Sequence, residues 1–238
     1  MPDTILLHAL LLLGIGGGFF VSASAGLGGS LVLVPLLTLA LGARDGIAFA
    51  ALLLAGNNVV KLWVYREALP WKRAAVIVVP TMLGALVGAR LLVAAPEMVV
   101  RVGVLASVVV AFLYERRTDR AWPTPLAPGL AAVAGATSGF SGTSGPLKGM
   151  AIRSLRLGRL ETVGAAAIVS ATADLTKLAV FGNAGLLGTA HLQLAILSVP
   201  LMAAATVAGR RFTVAVGEDG YARLFWLVMG GYALRLLG

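Results

Sequence analysis

Residues 25–35 read Ala-Gly-Leu-Gly-Gly-Ser-Leu-Val-Leu-Val-Pro, and residues 138–146 read Ser-Gly-Phe-Ser-Gly-Thr-Ser-Gly-Pro. Each is a glycine-rich interruption inside a long apolar segment, residues 4–42 in the first case and 125–158 in the second. Glycine and proline at this density end a helix. Each segment therefore predicts two shorter helices flanking an unwound turn. Around them lie six uninterrupted apolar stretches, residues 47–66, 73–94, 97–115, 162–181, 191–209 and 221–237, each close to the ~20 residues that carry a helix across a bilayer. Pro80 and Pro200 fall inside two of these and predict kinks.

Composition makes lipid the solvent. Of 238 residues 59% are hydrophobic and only 12% charged, with a mean hydropathy of +0.94. A soluble domain averages about 25% charged residues, and so few polar side chains cannot cover one. Closed β-barrels are the other way to span lipid, but they alternate apolar and polar positions. The apolar runs here are continuous, as in residues 74–79 and 104–113. The expected class is all-α, a polytopic helical membrane protein. The net charge of +9 sits in short joints such as Arg66-Glu67 and Glu115-Arg116-Arg117, which sets membrane orientation and does not imply nucleic acid. Residues 1–18 lack a basic leading region and run on into a second apolar stretch, so they read as mature protein. With no cysteine, disulfides and thiolate metal sites are excluded. His8 and His191, far apart in sequence, read as interfacial or packing residues. No catalytic residues, metal ligands or cofactor are expected: G-x-S-x-G, H-E-x-x-H, a P-loop and an intramembrane carboxylate pair are all missing.

The chain repeats itself. Shifted by 116 positions, Gly26 meets Gly142, Gly29 meets Gly145, Leu31 meets Leu147, Gly42 meets Gly158, and Lys61 meets Lys177. Glycine matches are cheap in this composition; a lysine match is not, because the chain holds only four lysines. With a four-residue insertion Pro80 meets Pro200 and Arg90 meets Arg210. Two units are expected, residues 1–120 and 121–238, within one membrane domain, a common plan for secondary transporters. Loop charge bears on their relation. If both interrupted segments cross the bilayer once, Lys and Arg divide seven against nine, which is no bias. If residues 125–158 form a hairpin that returns to its own side, twelve fall together and only Arg44, Arg90, Arg101 and Arg235 oppose them, as the positive-inside rule prefers. By analogy the first interrupted segment is a hairpin too, and the two units are inverted repeats with both termini outside.

Irregular backbone inside a membrane persists only where protein buries it or water reaches it. The turns at Gly26, Gly28, Gly29 and Ser30, and at Ser141, Gly142, Thr143, Ser144 and Gly145, are thus candidate sites. Half-helices starting near Ser30 and Pro146 would aim free N–H groups, and a partial positive charge, at a shared anion. The competing reading is that these glycines only let helices pack closely. Ionisable residues inside spans are costly and usually functional. Lys61 and Lys177 qualify, with Asn57 and Asn58 one turn from Lys61; snorkelling to the interface is the alternative for both lysines. Asp174 is the only acid well inside a span. It is a proton-coupling candidate or a static partner of Lys177 at i,i+3. Arg153, Arg156 and Arg159, with Lys148, suggest a basic stripe on the last half-helix, facing cytosolic headgroups.

The glycine run from Ala25 to Pro35 resembles the N-terminal motif of the TauE/SafE sulfite exporter family, and Ser138 to Gly145 followed by a basic half-helix resembles that family's mid-chain repeat. The resemblance covers essentially the whole chain. It implies a multi-pass protein of the cytoplasmic (inner) membrane that carries sulfite or a small organosulfonate such as sulfoacetate, driven by an ion gradient. Ser30, where relatives often carry glycine, and Pro146 in the second copy depart from the pattern and leave the exact substrate open. A passive anion channel and a non-transporting membrane scaffold are the alternatives. The expected partners are a small anionic substrate and membrane lipid, with a homo-oligomer also allowed and no nucleic acid.

Overall fold

The computed structural model describes residues 15–17, 19, 30–115, 123–205 and 208. Among these the regular backbone is helical, with no strand. The helices are α1 (Ser30–Leu41), α2 (Ala43–Val64), α3 (Trp71–Ala94), α4 (Glu97–Glu115), α5 (Ala127–Ser141), α6 (Gly145–Arg153), α7 (Arg159–Asn183) and α8 (Thr189–Ala205). The stretches expected at 47–66, 73–94, 97–115 and 162–181 are thus helices, and 191–209 is helical as far as it is described. The stretch 221–237 lies outside the described residues. Three helical runs, Ala43–Trp63, Trp71–Ala94 and Glu161–Asn183, are long and apolar enough to cross a membrane.

The packing is that of a protein solvated by lipid. The inward face of α3 carries Ile77 and Leu92 and, between them, Thr81, Gly84, Ala85, Gly88 and Ala89, all small. Its outward face carries Val76, Val79, Leu83, Val87 and Leu91, each at least half exposed. Large apolar groups outside and small ones inside is the arrangement of membrane helices, which associate by close backbone approach. The partner of that inward face is α5. A Cβ added to Gly84 or Gly88 would fall on the carbonyl oxygens of Ala132 and Ala136, and one added to Gly135 would fall on that of Thr81. The two backbones are therefore in contact. At the α2–α3 turn the Arg66 guanidinium lies 5.5 Å from the Trp63 ring centroid, and Trp63 and Trp71 are both exposed. Tryptophan and arginine so placed mark a headgroup boundary.

Two corners position the functional side chains. Between α1 and α2, Gly42 takes φ 91°, and the free Ala43 N–H donates to Glu97 Oε1 at 2.7 Å, fastening the start of α2 to the start of α4. Arg101, one turn along, holds the same carboxylate at 3.4 Å. Between α5 and α6 the chain leaves the helix at Ser141 and re-enters it at Gly145. Gly142 turns the corner in the left-handed region, φ 77°, where a side chain would be strained and would also meet Val34.

The basic stripe needs correction. α6 stops at Arg153, Arg156 lies in the following turn with φ 50°, and Arg159 begins α7. Three arginines spread over a helix end, a turn and a helix start do not share one helical face.

Candidate functional site

α2 and α7 cross where each carries polar side chains. Asn58 Nδ2 donates to Asp174 Oδ2 at 2.6 Å, and Lys177 Nζ meets Asp174 Oδ1, also at 2.6 Å. Both carboxylate oxygens are thus engaged. Lys177 is 1% exposed and also donates to Ser138 Oγ on α5 at 3.3 Å. Snorkelling does not describe this lysine: its ammonium ends inside the protein. A buried pair of this kind persists only when its remaining hydrogen-bonding capacity is met, which Asn58 and Ser138 do here.

In front of this cluster is a cavity of about 60 Å³. A single water needs about 10–15 Å³, so the space holds several waters or one small oxyanion. Its walls come from α1, α2, α3, α5, α6 and α7 and from the α5–α6 turn. From the first half of the chain come Ser30 at the start of α1, Asn58 and Lys61 on α2, and Thr81 on α3. From the second come Ser138 on α5, Gly142 and Ser144 of the α5–α6 turn, Lys148 on α6, and Ser170 and Asp174 on α7. Thr81 and Asp174 lie midway along α3 and α7, so the cavity lies at the depth of the span centres. Ser144 is the residue before α6 and its hydroxyl makes no capping bond to the helix. Lys148 Nζ donates to Ser170 Oγ at 2.9 Å. Lys61 lines the cavity and is exposed as well, which puts it at the mouth.

The sequence-expected residues divide as follows. Ser30, Asn58, Lys61, Gly142, Ser144 and Asp174 share the cavity, and Lys177 stands directly behind it. Ser141, Thr143 and Asn57 do not line it. The Ser141 hydroxyl donates to the Thr137 carbonyl at 2.8 Å, Thr143 is buried, and Asn57 is turned about 100° around α2 from Asn58. Gly145 opens α6. Gly26, Gly28 and Gly29 lie outside the described residues. Sequence reading passed over Thr81, Ser138, Lys148 and Ser170. Small hydroxyl residues inside a span look like packing residues, and the arginines after Lys148 drew it into a surface stripe. One signal for Ser138 was available, since it aligns with Ser22 at the 116-residue spacing.

Among the described residues no group of histidine and acidic side chains is placed to hold a metal ion. What the walls offer instead is hydroxyl and amide donors, ammonium groups and one carboxylate, a set suited to a small hydrogen-bond-accepting anion. No curated protein and no solved structure matches the chain. A family model does: that of the sulfite exporter TauE/SafE family, across residues 10–236. The matched region takes in both glycine interruptions, the long apolar helices and every wall of the cavity, so the chain belongs to the TauE/SafE sulfite exporter family and is a membrane transport protein.

Proposed function

We propose that the protein is a secondary transporter that moves a small sulfur oxyanion, sulfite or an organosulfonate such as sulfoacetate, across the cytoplasmic membrane. The observation that carries this reading is the shared cavity, which Ser30 at one helix start, Ser144 at another, and Lys61 and Lys148 line together. Asp174 is already engaged by Lys177 and Asn58. Lys61 therefore lines the cavity with no carboxylate of its own among the described residues, and an entering anion would balance it. Helix starts add N–H groups and a partial positive charge. Serine and threonine hydroxyls serve the several acceptor oxygens of a sulfonate or sulfite.

The same reading includes two inverted units, residues 1–120 and 121–238, meeting at this cavity. Two contacts support it. Asn58 and Asp174, which touch, are 116 positions apart, the spacing of the repeat. Gly16 approaches the Leu201 side chain to 3.1 Å where a Cβ would stand. The counterparts of that pair, Ala132 and Thr81, lie at the α3–α5 crossing. Such exchange of equivalent contacts is what a two-fold relation produces.

The test is a melting screen of the purified protein with sulfite, sulfate, thiosulfate, sulfoacetate and taurine. A ligand at 100 times its Kd stabilises by about 2.7 kcal/mol, readable as a rise of several degrees. A rise with a sulfur oxyanion, lost in Lys61→Gln, is expected. No rise with any of the five would overturn the reading. Accumulation of the selected anion in proteoliposomes against its own gradient then separates a coupled carrier from a channel.

A further inference from the structure

Asp174 is the one carboxylate on the wall of the cavity among the described residues. That is an odd neighbour for an anion. Like charges a few ångströms apart in a poorly solvated space repel strongly. The groups facing Asp174 are Asn58 and Lys61 on α2, Thr81 on α3, Ser138 on α5, Lys148 on α6 and Lys177 on its own helix. Of these, Lys177 meets it directly and is wholly enclosed behind the wall, so the pair Asp174–Lys177 is neutral as a whole but turns its negative end to the cavity.

Resting on the transport reading above, we propose that the protein carries one proton with each anion, in the same direction, and that Asp174 is where the proton rides. A proton from water at the open mouth adds to Asp174 Oδ1. The ionic contact to Lys177 is lost, while Asn58 Nδ2 still donates to Oδ2. Two changes follow at once: the repulsive charge on the cavity wall disappears, and the ammonium of Lys177, held meanwhile by Ser138, becomes an uncompensated cation behind the site. The incoming anion supplies the compensation. On the far side the anion leaves, Lys177 again attracts the carboxylate, and Asp174 returns its proton to water. An unprotonated Asp174 beside a bound anion, or an unmasked Lys177 in an empty site, is the costly state. Proton and anion therefore load and unload together, which gives co-transport and not exchange.

The experiment reconstitutes the full chain in liposomes with a trapped pH-sensitive dye and a clamped membrane potential. Radiolabelled sulfite, thiosulfate and sulfoacetate are offered separately at mildly alkaline pH, and the proton count is read on thiosulfate and sulfoacetate, which are fully ionised there, since residual bisulfite would carry a proton by itself. The native chain is expected to acidify the interior by one proton for each anion that enters. Asp174→Asn is expected to abolish accumulation driven by a pH gradient, and Asp174→Glu to retain it with an altered pH profile. Anion entry without acidification, or with alkalinisation, overturns the inference and leaves the transport reading standing. No entry of any of the three anions overturns both. Because the proton count is made on the native chain, the result does not depend on either variant folding.

Discussion

Replacing Asp174 by alanine strands the Lys177 ammonium in the interior. The native pair is 2.6 Å apart with side chains 1% and 7% exposed, so water cannot take over the role of the carboxylate. Removing one partner of a buried pair costs about 3–5 kcal/mol. For a chain of this length each kcal/mol corresponds to about 2–4 °C in Tm, so Asp174→Ala is expected to melt about 6–20 °C below the native protein. The double variant Asp174→Leu with Lys177→Met removes both charges and fills the space. It should recover all but the about 1–3 kcal/mol attached to the Asn58 amide, whose acceptor is gone. Arg73→Ala is the internal control. Its pair with Glu161 is 3.3 Å long but 62% and 42% exposed, worth about 0–1 kcal/mol, and its Tm should barely move. The assay is thermal unfolding in detergent followed by fluorescence of the four tryptophans, run as a double-mutant cycle. A single Asp174→Ala variant that melts within ~2 °C of the native chain, or a double variant no better than the single, would refute the claim that this charge is buried and compensated.

Further variants test other parts of the argument. Gly84→Val or Gly135→Val forces the α3 and α5 backbones apart and should abolish the folded, monodisperse peak on size-exclusion chromatography. Gly129→Val, with nothing within 4 Å of its Cβ position, should leave that peak intact. Gly142→Ala places a methyl group at φ 77° and against Val34 at 2.9 Å; a loss of about 1–2 kcal/mol from the left-handed backbone alone is expected, read as a lower Tm. Lys148→Gln removes a charge-assisted donor worth about 1.5–3 kcal/mol and should weaken anion binding on the order of 10- to 100-fold by titration calorimetry. Ser141→Ala, whose hydroxyl is spent on its own helix, should leave that affinity unchanged.

The helices were legible because lipid enforces length and continuity: α2, α3, α4 and α7 all begin and end within a few residues of the apolar stretches. The break between α5 and α6 was legible because Gly142, Gly145 and Pro146 cannot sit comfortably in a helix interior. The site was legible only in part. Which of two adjacent asparagines faces the cavity depends on the rotation of α2 against α7, and hydropathy does not encode that rotation when both neighbours are polar. The roles of Ser141 and Thr143 turned on the local path of four residues, where a serine can satisfy the backbone as readily as a ligand. Lys148 was misplaced for a different reason. Its helix ends at Arg153, well before the next glycine, and Arg156 takes a left-handed conformation that its side chain gave no cause to expect.

In the two-fold arrangement proposed above, Asn58 and Asp174 are equivalent positions in direct contact. On such an axis a side chain meets its own copy. Two separate but identical subunits would have to place the same residue there twice: paired carboxylates at 2.6 Å would repel, and paired amides would carry no charge. Only a chain that encodes both halves can set an acid against an amide. Fusion into one polypeptide is thus what permits a single carboxylate at the centre, and neither half, expressed alone and allowed to dimerise, can rebuild it.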